Sequence, residues 1–108
     1  MERLVDGSLL TRHVGGQGIF ATPAMIGLME MCSHRSVEPQ LPEGFTTVGF
    51  EVCVRHLAPT EPGGTVTVTS KLTKVDGRKL FFDVECHEGE KLCGNGTHRR
   101  VVVPSYPR

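Results

Sequence analysis

The sequence predicts an α+β fold: one long helix packed against a strongly curved antiparallel sheet. Three observations predict it. A single apolar stripe at three- and four-residue steps occupies the first half of the chain. From Thr47 onward the apolar period changes to two and holds to Val103. Turn residues then cut that second half into strands long enough to form hairpins.

Residues 1–19 carry few periodic signals beyond a short strand expected near Leu9 to Val14. His13-Val14-Gly15-Gly16-Gln17-Gly18 reads as a glycine-rich connection. Gly16-x-Gly18 is not followed by the rest of a dinucleotide fingerprint, nor does a clear strand precede it. Thr22-Pro23 is a helix start, with Thr22 placed to cap free N–H groups and Pro23 at a position where no hydrogen bond is lost. Met25, Leu28, Met29 and Cys32 form the buried stripe, and the helix should end near Ser36, before Pro39 and Pro42. Val48, Phe50, Val52 and Val54 then alternate with Thr47, Gly49, Glu51 and Cys53, as in a strand with one buried face. Pro59 to Gly64 breaks the chain before the strand beginning at Val66; Asp76-Gly77 turns into Lys79–Cys86; Glu88-Gly89-Glu90 turns into a last strand from Lys91 to Val103.

The 108 residues make one domain, 1–108, large enough for a core and small enough to gain from oligomerising. One helix covers little sheet, so the sheet or the helix should continue across a homodimer interface. Twelve basic and twelve acidic residues cancel, so no global field recruits nucleic acid or an anionic membrane. The longest uncharged stretch, Gly15 to Met29, is too short and interrupted to span a bilayer, and Met1 to Asp6 has no signal-peptide character. Cys32, Cys53, Cys86 and Cys93 have neither Cys-x-x-Cys spacing nor disulfide-scaffold density, so they read as reduced thiols in a cytoplasmic protein without a zinc site.

Glu30 is a lone carboxylate in an apolar helical run, and carboxylates are seldom buried without compensation. Thr22 lies eight residues earlier, offset by roughly 80° around the axis, so both can border one groove. His56 shares the parity of Val48 to Val54 and should face the core side. A carboxylate and an imidazole in apolar surroundings are raw material for hydrolysis, with His56 orienting or deprotonating water and Glu30 as its partner or as the attacking group. Gly49 is a mid-strand glycine, where a ligand or another backbone can approach closely. Each has a plainer reading: Glu30 as the solvent edge of an amphipathic helix, Thr22 as a cap, His56 as a strand-end histidine and Gly49 as a bulge.

From about Phe20 to Val103 the sequence resembles the hotdog-fold acyl-CoA thioesterases, in particular their fluoroacetyl-CoA thioesterase-like branch. Four segments carry the likeness: Ala21-Thr22-Pro23 with the helix bearing Glu30; Thr47-Val48-Gly49; Val54-Arg55-His56-Leu57-Ala58-Pro59-Thr60 with Pro62-Gly63; and Val75-Asp76-Gly77-Arg78-Lys79-Leu80 with Gly96-Thr97-His98-Arg99-Arg100. The resemblance implies a hotdog homodimer, or a tetramer built from such dimers, with sites near the subunit interface. It implies cleavage of a short-chain or small aryl acyl-CoA to the acid and free CoA, with CoA part of the substrate and no further cofactor. Thr22, Glu30 and His56 become the catalytic residues, and Gly49 and Phe20 the residues against the acyl group. Arg55, Arg99, Arg100 and His98 are candidates for the CoA phosphates, which guanidinium groups pair well, or else a charged strand edge. The segment His13 to Phe20 is richer in glycine than a bulky aromatic lid would be, which favours a general acyl group over a fluorinated one. No Asp-x-x-x-x-His signature of the hotdog dehydratases is evident. The alternatives are a non-catalytic acyl-CoA-binding module and a structural or interaction protein.

Overall fold

The computed structural model describes residues 1–11 and 18–105. The elements in chain order are β1 (Glu2–Leu4), β2 (Leu10–Thr11), β3 (Ile19–Phe20), α1 (Thr22–Val37), β4 (Phe45–His56), β5 (Thr65–Asp76), β6 (Lys79–Glu88) and β7 (Lys91–Pro104). The five-stranded antiparallel sheet has the order β1-β5-β6-β7-β4, and β2 pairs with β3 in a separate ribbon. The segment 13–17 of the glycine-rich connection lies outside the described residues.

The expected helix and four long strands are present, with an added edge strand and a crossover in the strand order. Glu2–Leu4 pairs with Thr65–Thr67 and forms one edge of the sheet. The first long strand does not pair with its successor: β4 crosses over to pair with β7 and forms the other edge. Both hairpins close with two-residue loops, Gly77-Arg78 and Gly89-Glu90, one residue beyond the expected Asp76-Gly77 in the first case. Gly77 takes φ +60°, which a side chain would oppose.

The stripe of α1 lies against the sheet through Met25, Leu28, Met29 and Val37, all buried. Val66, Val68, Leu80, Phe82, Val84, Cys86 and Cys93 meet it from β5, β6 and β7. Each such side chain of Leu, Val, Met or Phe size contributes about 1.5–3 kcal/mol when fully removed from water.

β4 departs from simple alternation. Gly49 pairs with Arg100 and Glu51 with Arg99, leaving Phe50 as an extra residue in a bulge. Before the bulge the odd positions Thr47 and Gly49 face the helix; after it Val52, Val54 and His56 do. Val48 and Phe50 are therefore not core residues but are 46% and 47% exposed. The expected single buried face of Val48 to Val54 is corrected accordingly: an inserted residue flips parity, and sequence alternation cannot register the flip.

Candidate active site at the two ends of one strand

α1 begins under two tethers. The Ala21 N–H donates to the Leu9 carbonyl at 2.7 Å and the Phe20 N–H to the Thr60 carbonyl at 2.9 Å. The N-cap is Ala21, which offers no side-chain cap, and Thr22 is already helical. Thr22 is thus not the cap it was expected to be. Its hydroxyl is free for another partner: Thr22 Oγ1 and His56 Nδ1 share a hydrogen bond of 2.8 Å.

His56 ends β4 where the N–H groups of Leu57 and Ala58 both donate to the Cys93 carbonyl, at 2.7 and 3.2 Å. Phe20, fully buried, meets the imidazole edge-to-face at 5.9 Å between centroids. His56 Nε2 is buried without a hydrogen-bond partner among the described residues. Burial lowers the His56 pKa below its ordinary value, so the ring is neutral at pH 7 and has a lone pair to offer. A cavity of about 260 Å³ opens beside it, lined by Ile19, Thr22, His56, Leu57, Ala58 and Pro59.

Glu30 stands elsewhere. It is half-buried, and its Oε2 lies 3.4 Å from where a Gly49 Cβ would be. The same point is 2.9 Å from His98 Cε1 and 3.2 Å from Arg100 Nη1. Gly49 is glycine because three side chains converge on it. Eight residues of helix, about 12 Å of rise, separate Glu30 from Thr22. Within one chain the proposed catalytic residues therefore form two groups: Thr22 with His56, and Glu30 with Gly49.

Arg100 is the residue whose surroundings differ most from a strand edge. It is only 6% exposed. Its Nε donates to Thr47 Oγ1 at 2.8 Å, Nη2 to the Thr47 carbonyl at 2.9 Å and to His34 Nδ1 at 3.4 Å, and Nη1 to His98 Nε2 at 3.2 Å. Burial lowers the Arg100 pKa from its ordinary value, against the opposing fields of Glu30 and Glu38. His34 and Thr47 were not singled out from the sequence as functional residues; His98, a candidate there for the CoA phosphates, is buried beside Arg100. Arg99 points to the opposite face, where it pairs with Glu51 at 3.0 Å and covers the Phe81 ring. Arg55 is exposed on that same face.

No group of three or more His, Cys, Asp or Glu suited to a metal is present among the described residues. What this chain presents is a hydroxyl–imidazole pair at an apolar cavity and a carboxylate facing a buried cation, groups whose chemistry suits acid–base or nucleophilic work. A solved hot-dog-like protein from Thermanaerovibrio acidaminovorans superposes with TM-score 0.89 at 26% identity, over 97% of this chain and 79% of that one. A solved fluoroacetyl-CoA thioesterase, FlK, superposes with TM-score 0.88 at 38% identity, over 96% and 83%. The fluoroacetyl-CoA-specific thioesterase family model matches residues 7–106, and the chain belongs to that family. The fluoroacetyl-CoA thioesterase of Streptantibioticus cattleyicolor is 46% identical over 85 residues, which is 79% of this chain and 61% of that relative's length.

Proposed function

We infer that the protein is an acyl-CoA thioesterase that hydrolyses a short-chain or small aryl acyl-CoA to the free acid and CoA. Its active unit is a cytoplasmic homodimer paired edge to edge through β4. Thr22, Glu30 and His56 carry the reaction, with no resident metal or organic cofactor. Family membership supports the reaction class. One observation carries the assembly: Glu30 by Gly49 and the Thr22–His56 pair sit seven residues apart along a strand whose outer edge has no neighbour among the described residues.

A two-fold axis between Val52 and Cys53 would set Gly49 of one protomer opposite His56 of its partner, because antiparallel pairing reverses the strand. Glu30 of one chain would then face the imidazole and hydroxyl of the other. Val52, 37% exposed at the middle of the edge, would be covered by the same contact. An uncovered apolar edge is otherwise an aggregation hazard.

In such a site the thioester carbonyl carbon is attacked either by the Glu30 carboxylate, giving an anhydride that water then opens, or by a water deprotonated by His56. In both routes the C–S bond breaks and the CoA thiolate leaves, to be protonated. The neutral imidazole suits the base role, and the Thr22 hydroxyl holds either the ring or the carbonyl oxygen. The glycine-rich segment leading to Phe20 supports a broader acyl range than fluoroacetyl alone.

The test is thiol release from a panel of acetyl-, fluoroacetyl-, butyryl-, phenylacetyl- and benzoyl-CoA, with Glu30→Gln and His56→Ala run alone and then mixed. Each variant alone is expected to be inactive. After subunit exchange the mixture should regain roughly a quarter of the wild-type rate, since half the dimers are mixed and each carries one intact site. No recovery would sink the shared site; a folded wild-type chain that binds CoA without turnover would sink the enzyme.

A further inference from the structure

We propose that His98 is a positioning residue of this site, a two-ended clamp that ties the β4 bulge to the Arg100 guanidinium and so holds that cation toward Glu30. The inference rests on the hydrolase reading of Glu30 for its kinetic consequence, while the clamp itself stands on geometry alone.

His98 is fully buried on the helix side of β7, its ring stacked on Phe82 with centroids 6.1 Å apart. Its Nδ1 lies 2.8 Å from the Glu51 carbonyl oxygen, which can only accept, so Nδ1 carries the proton. Its Nε2 lies 3.2 Å from Arg100 Nη1, which can only donate, so Nε2 carries a lone pair. The two contacts together select the neutral Nδ1–H tautomer. A second proton on Nε2 would set donor against donor, and both burial and the Arg100 charge lower the His98 pKa in keeping with this.

The Glu51 carbonyl belongs to the residue that follows the bulged Phe50. The bulge makes room for the arrangement by turning Gly49 inward on one side of it and Val52 on the other. Arg100 is then fixed from three sides: Thr47 takes Nε and Nη2, His34 takes Nη2, and His98 takes Nη1. The Nη1 atom held by His98 is the one that stands over Gly49, across from Glu30 Oε2. Around the guanidinium stand Glu30 and His34 from α1, Glu38 from the turn after it, and His98 from its own strand. β4 brings Thr47, Gly49 and the Glu51 carbonyl to the cluster, and β6 the Phe82 ring. Of the contacts to Nη1, His98 alone is a hydrogen bond.

A guanidinium free to swing by about 1 Å would disturb the field at the reacting carboxylate, a misplacement that can cost about 10²-fold in rate. His98→Phe keeps the ring and its stacking on Phe82 and removes both hydrogen bonds. His98→Gln keeps one donor and one acceptor. The expected result is a fall in kcat of about 10²-fold for His98→Phe with KM nearly unchanged, and recovery of most of that loss in His98→Gln. In the wild-type dimer, nitrogen NMR should find Nδ1 protonated and Nε2 bare at neutral pH. Wild-type kcat in His98→Phe would overturn the proposal, as would equal defects in both variants or an Nε2–H tautomer. Hydrolysis of the substrate panel by the wild-type chain reports on the enzyme reading alone, whereas the ring-nitrogen signals require no turnover and report on the clamp alone.

Discussion

The two ends of β4 solve opposite problems. At the His56 end the groups are uncharged: a hydroxyl, a neutral imidazole and an apolar cavity wall. The site there is complete as a hydrogen-bonded pair and keeps Nε2 open for chemistry. At the Gly49 end a carboxylate faces a buried guanidinium that gives four of its five N–H groups to Thr47, His34 and His98. Neutral groups can wait in an apolar pocket at little cost, whereas a buried cation must be surrounded by acceptors before it can serve. The imidazole end is therefore held by two backbone tethers, and the carboxylate end needs a network drawn from three elements.

The largest effect that would test this contrast comes from the strand edge joining the two ends. Val52→Lys places a charge at the centre of the open edge and is expected to give a folded monomer. Turnover should fall by at least about 10³-fold, because each chain would then hold only half of the catalytic set. Sedimentation and thiol release on one sample check both. An active monomer would break the comparison, since the two ends would then have no need to meet.

Gly49→Ala acts on the charged end alone. The new methyl would stand 2.9 Å from His98 Cε1 and 3.2 Å from Arg100 Nη1, neither of which is free to move far. A loss of about 1–3 kcal/mol of stability is expected in denaturant titration, with a fall in kcat. The Thr22–His56 pair should keep its imidazole signals unchanged.

Acid separates the ends more gently. His56 and His98 both have pKa values lowered by burial, so the unfolded chain binds more protons than the folded one between the folded values and the ordinary value near 6.5. Stability should be level above that value and should fall as pH drops through the window below it. Melting temperature between pH 7.5 and 5 measures this. In His98→Gln the decline should be shallower, leaving the share due to His56.

The smallest effect is expected at Arg99. Its partner Glu51 and its own side chain are both nearly half exposed, so Arg99→Ala should change stability by less than about 1 kcal/mol. A raised KM toward the acyl-CoA with unchanged kcat would show that the outer face also meets the CoA phosphates.

Much of this was open to reading from residue order. The helix from Thr22-Pro23 and the four long strands follow from local periodicity and turn chemistry, which need no knowledge of neighbours. Glu30 was conspicuous because a carboxylate in an apolar stripe conflicts with its surroundings at the level of sequence. Other features were hidden for identifiable reasons. The short β1 has no repeat to betray it and exists only because β5 offers it an edge. Thr22 looks like a cap in sequence, and only the position of His56 gives its hydroxyl another use. Arg100 follows Arg99 and looks like half of a surface pair, yet one faces Glu51 outside and the other Thr47 within.

By itself, then, the sequence determined the element types and their order, and offered side chains with hydrolytic chemistry, since these depend on period, capping and side-chain type within short windows. Tertiary structure alone decided that β4 lies at the sheet edge beside β7, that Phe50 bulges, and that Thr22–His56 and Glu30–Arg100 gather at different points along one strand. Strand order and register are settled by contacts between residues dozens of positions apart, and a single inserted residue reverses which side chains face inward.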